Sequence, residues 1–96
     1  MRQKYELKLK PINSDNPDNQ RIYEMLQQSC EGLNSYVSDF FETIAILQEQ
    51  KANSGSDNYE IDESIEFVLT KIDEVTTSMK CIVNDMPSLI ELKEVR

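Results

Sequence analysis

The sequence predicts an all-α fold: an antiparallel two-helix hairpin with coiled-coil-like packing, completing a helical bundle by dimerisation or with a partner. Two unbroken heptad series, a loop-forming segment between them and a charge-rich composition carry that expectation. The 96-residue chain is 39% apolar and 29% charged. Such a balance suits long two-sided helices better than a compact multilayer globule. The length bounds the chain to one domain with a modest core.

Residues 1–15 read as a basic N-terminal arm. Tyr5, Leu7 and Leu9 alternate with polar neighbours and Pro11 ends the run, which is a strand pattern. Residues 1–12 carry +3 (Arg2, Lys4, Lys8 and Lys10 against Glu6), whereas residues 13–92 carry −12, from four basic and sixteen acidic residues. The arm is thus electrostatically distinct from the body.

The first helix is expected over 16–51. Tyr23, Leu26, Cys30, Leu33, Val37, Phe40, Ile44 and Leu47 recur at alternating spacings of three and four, one apolar stripe along a helix. Asn16 suits the N-cap, Pro17 the first turn, where a missing N–H is harmless, and Asp18 complements the helix dipole. Gly32, Asn34 and Ser35 are poor helix formers that suggest a kink or a close helix contact, though the seam alone is enough to carry the helix through.

Residues 52–57 are expected as the loop, within a run of loop formers around Gly55. The second helix, 58–86, carries Ile61, Ile65, Val68, Ile72, Val75, Met79, Ile82 and Met86 at the same alternating spacings. Asp57 and Glu60 have capping-box spacing, Glu60, Asp62 and Glu63 load the positive helix end, and Pro87 stops the helix. A short loop closes such helices as an antiparallel hairpin. The layers then run from Leu47 with Ile61, through Phe40 with Val68 and Val37 with Ile72, to Tyr23 with Met86. The tail, 87–96, reads as a strand or a last helical turn, and a ribbon with the arm is geometrically open to it.

Apolar residues beyond the seams widen the stripe: Ile22, Met25, Tyr36, Phe41 and Ile46 on the first helix, Phe67, Leu69 and Val83 on the second. A lone hairpin leaves them wet, so they form the candidate partner surface.

Residues suited to catalysis are scarce. The chain lacks histidine, the commonest general base and zinc ligand. Cys30 sits on the seam as a small hydrophobe, and Cys81 lies off it, so no bridge or metal pair is expected. Asp57, Glu60, Asp62, Glu63 and Glu66 lack the spacing of a calcium loop, and dipole complementation accounts for them. The two glycines, Gly32 and Gly55, cannot build a nucleotide cradle. No enzyme activity, cofactor or metal is expected.

The leading functional expectation is a non-enzymatic protein–protein interaction module: a subunit, adaptor or chaperone-like partner acting through helix packing, as a dimer or in a hetero-complex. The net charge of −8 disfavours direct nucleic-acid binding. It leaves open an acidic mimic of nucleic acid that inhibits a DNA-binding protein or nuclease, using residues 57–66 with Glu42, Glu49, Asp73 and Glu74. Without a spanning apolar run or an apolar leader, a cytoplasmic location is expected, with signal-independent export as the exception. In layout the two helices resemble the WXG100-type substrates and targeting partners of type VII secretion, with Tyr59 and Glu63 matching the Y-x-x-x-[D/E] export pattern. This chain has Ser54-Gly55 in place of the W-x-G turn and carries the export pattern at the start of the second helix. The resemblance implies a role as an exported or targeting hairpin.

Overall fold

The computed structural model describes residues 3–11, 15–55 and 59–95. In chain order these form strand β1 (Lys4–Leu9), helix α1 (Pro17–Ser54), helix α2 (Tyr59–Asp85) and strand β2 (Ile90–Val95). The helices make the hairpin that the seams predict, and the strands pair antiparallel at the end away from the loop. The molecule is a rod of 59 × 20 × 19 Å. Its long dimension is that of α1, because 38 residues at 1.5 Å each span about 57 Å.

α1 starts as its cap predicts. Asn16 has extended backbone, and its side-chain oxygen accepts the Asp18 N–H at 2.9 Å, satisfying one of the orphan donors of the first turn. The helix ends later than the sequence suggests, running through Ser54 rather than stopping at 51. Nothing in residues 51–54 forbids helical backbone. The break comes at Gly55, whose φ of 88° lies in the left-handed region that favours glycine. Lys51 in this last turn pairs with Asp62 in the first turn of α2, each charge at the helix end whose dipole it complements. Both side chains are partly exposed, so the pair pins the turn more than it stabilises the fold.

The proposed cap of α2, Asp57, lies outside the described residues. At the other end, the Met86 N–H still reaches the Ile82 carbonyl at 3.0 Å before Pro87, which has no N–H to donate, ends the helix. α1 is unbroken at Gly32, and a Cβ there meets nothing within 4 Å. No close helix contact therefore explains that glycine.

The buried residues of both helices are all seam positions: Cys30, Val37 and Ile44 on α1, Val68, Ile72 and Met79 on α2. They fall into two clusters. Near the loop, Ile44, Val68 and Ile72 pack with Phe40 and Leu47; toward the termini, Cys30, Val37 and Met79 pack with Leu7 and Ile90 from the strands. The remaining seam residues are half-buried, and of these Tyr23, Ile61 and Ile65, toward the ends of the pair, join neither cluster.

The strands close the terminal end. Leu7 and Ile90 are buried against the helices, while Glu6 stands opposite Lys93 and Lys8 opposite Glu91. Opposite charges across the ladder answer the basic arm within the ribbon itself. An isolated two-stranded ribbon is marginal in water; here Asn34 secures it. Its side-chain amide accepts from the Leu7 N–H at 2.7 Å and donates to the Leu7 carbonyl at 2.9 Å. Leu7 thereby gains the two backbone bonds that β2 does not provide at that position. The Lys10 N–H extends the ladder to the Leu89 carbonyl, and the Lys10 ammonium donates to the Pro87 carbonyl.

Candidate interaction surface

Each helix seam has two flanks, and the strands occupy only one side of the pair. On that side α1 carries Asn34 and Phe41 next to its seam, and α2 carries Asp62, Leu69, Thr76 and Val83, all half-buried. Asn34 holds β1, Val83 packs into the cluster with Leu7 and Ile90, and the Lys80 ammonium lies 5.7 Å from the Tyr5 ring centre. Phe41 and Leu69 join the core cluster nearer the loop. This is the ribbon side.

The opposite flank of α1 repeats Ile22, Met25, Ser29, Gly32, Tyr36, Asp39, Thr43 and Ile46 at alternating spacings of three and four, and every one is exposed. The matching flank of α2 begins with Glu60, Ser64 and Phe67 and continues to Cys81 and Asp85, exposed except for half-covered Lys71. Like flanks share a side in an antiparallel pair, so these two stripes make one continuous open side. The large apolar side chains are far from covered: Met25 is 64% exposed, Phe67 63% and Tyr36 56%.

The eight residues expected to form a partner surface therefore divide. Ile22, Met25, Tyr36, Ile46 and Phe67 are exposed on the open side. Phe41, Leu69 and Val83 are instead packed against the molecule's own core. Tyr59, noticed in the sequence only within the export pattern and not as partner surface, has the highest exposure of the large hydrophobic residues described, at 73%. It precedes the first seam residue of α2, so the seam pattern does not mark it as surface.

The open side is not flat. Near the loop, Thr43 and Leu47 of α1 face Glu60, Glu63, Ser64, Phe67 and Val68 of α2 across a broad groove of about 680 Å³. Its floor is apolar (Leu47, Val68), one wall is the Phe67 ring, and carboxylates line the rim. Toward the termini, a smaller recess of about 180 Å³ lies between Leu26, Cys30, Leu33, Ile82 and Met86 and is backed by Leu7 and Ile90. Ser29 is its one exposed lining residue, which puts the mouth on the open side.

Charge reinforces the asymmetry. Asp39 and Glu60 lie on the loop half of this side and Glu63 lines its groove, and no ion pair is formed by them among the described residues. Glu42 and Glu49 stand on the back of α1, opposite its seam. The Lys71 ammonium lies 3.2 Å from Glu74 and 5.3 Å from the Phe67 ring centre, so its charge is already engaged. The acids expected to serve a nucleic-acid mimic do not all gather here. By helical periodicity Asp62, Glu66 and Asp73 point toward the ribbon side.

Chemistry is sparse in the same region. Burial pushes the Cys30 thiol above its ordinary range, helped by the neighbouring Glu31 carboxylate, which makes it a poor nucleophile. Cys81 is exposed, and both cysteines are free thiols. Among the described residues no three histidine, cysteine or acidic side chains are grouped to hold a metal ion. Nor is any helix among them long and apolar enough to cross a membrane. In comparisons with known proteins, no family model, no curated protein and no solved structure matches the chain.

Proposed function

We propose that this protein is a non-enzymatic protein–protein interaction module that binds through the open side of its helical hairpin. The observation that carries the reading is the one-sidedness of the unspent apolar surface. Five large side chains on one flank stay exposed while their counterparts on the other flank are packed away. Scattered exposed apolar residues are ordinary, whereas large ones confined to one side and set beside apolar recesses are placed as a binding surface is. The ribbon supports the same reading, because it covers the terminal half of one side of the hairpin and leaves the opposite side open along its length. The poor nucleophilicity of Cys30 and the absence of histidine argue against a catalytic role.

Site-specific photo-crosslinking in cells tests this directly. A crosslinker at Met25, Tyr36 or Phe67 is expected to trap a protein, whereas one at Glu6 or Lys93 on the ribbon's outer face is expected to trap little. Equal trapping from both sides, or none from the open side, refutes the proposal.

A further inference from the structure

We infer that the open side receives a basic amphipathic helix from another protein, and not a second copy of this chain. This deepens the interaction reading above and rests on it. The shape of the site selects a helix: two antiparallel helices leave a straight groove between them, and a third helix fits that groove with its apolar face inward. From Ile22 to Ile46 the surface runs about 36 Å at 1.5 Å per residue, which matches a helix of about 24 residues. The groove at Leu47, Val68 and Phe67 and the recess at Ser29 are placed to take apolar anchors near its two ends.

The charge selects the partner. Asp39, Glu60 and Glu63 edge the loop half of the site, and the Lys71 ammonium there is matched by Glu74. A visiting helix with lysine or arginine beside its apolar stripe meets carboxylates along the rim; one with acids meets repulsion. A second copy offers no remedy in either two-fold arrangement. Loop half against loop half sets the three carboxylates against themselves. Loop half against terminal half brings Asp18 and Asp85, with Arg21 as the one base near them among the described residues.

The test uses the full chain and a labelled synthetic helix of about 24 residues, leucine at its seam positions and lysine at its flanks. A second peptide replaces every lysine with glutamate. Binding by fluorescence anisotropy is expected to favour the lysine peptide at least about tenfold. Glu60→Lys with Glu63→Lys, and separately Phe67→Ser, are each expected to weaken it about tenfold. Glu24→Lys with Glu31→Lys makes the same charge change on exposed α1 positions turned away from the open side, and is expected to alter it less than about twofold. Equal loss from the two charge pairs means diffuse attraction and overturns the inference, as does equal binding of the two peptides or no binding of either. Light scattering that shows a dimer, broken by Phe67→Ser, seats a second copy on the open side; that overturns the inference while leaving the interaction reading intact. If the crosslinking above traps nothing from the open side, the interaction reading itself fails.

Discussion

Asn34 is the residue on which ribbon and hairpin meet. A mid-helix asparagine is unfavourable locally, and its use appears only once β1 lies across α1 and turns the Leu7 backbone toward it. Sequence reasoning marks Asn34 as a weak helix residue; it cannot supply the strand that makes it necessary, because that contact is 27 residues away. Asn34→Ala strands two part-buried backbone groups and is expected to destabilise by about 1–3 kcal/mol. Thermal unfolding measures the loss, and faster amide exchange at Leu7 shows that the ribbon has loosened. The two cysteines were better legible, since seam position alone predicts their contrast. A thiol reagent is expected to modify Cys81 rapidly and Cys30 only on unfolding, as mass spectrometry of the native protein will show. Because burial raises the folded-state pKa of Cys30, its protonated form is favoured by folding. That contribution is intact at neutral pH and is lost in alkaline solution above the ordinary thiol range.

Helices and strands were legible to different degrees. Both helices follow from seams whose buried members are all seam positions, and the N-terminal strand follows from the alternation of Tyr5, Leu7 and Leu9. The C-terminal strand was ambiguous, because Ile90-Glu-Leu-Lys is equally compatible with a helical turn until β1 offers it a pairing edge. The end of α1 was misplaced for a related reason: Ala52, Asn53 and Ser54 are common in loops without excluding helix, and only Gly55 enforces the break. At Gly32 the helix bears the entropic penalty of glycine with no packing reason for it. Gly32→Ala is expected to stabilise the isolated protein by about 0.5–1 kcal/mol, read from denaturant midpoints. Since Gly32 lies on the open side, the same change is expected to weaken partner binding wherever a docked helix approaches that point closely.

At the scale of the molecule, the fold is a hairpin made one-sided by its own termini. The surplus of apolar residues was visible in the sequence; its sidedness was not. Phe41, Leu69 and Val83 resemble Tyr36, Ile46 and Phe67 in type, and each stands one residue from a seam position. What separates them is the side on which they fall in the pair, and the ribbon fixes the use of one side through Asn34 and Val83. Mild peroxide oxidation of the purified full chain, read residue by residue by mass spectrometry, tests this sidedness most directly. Met25 projects from the open side, while Met79 is fully buried in the seam at 0% exposure. The expected result is rapid oxidation of Met25 with Met79 protected until the fold is lost. Protection of Met25 as strong as that of Met79 contradicts the account, because the open side is then already covered in the protein alone.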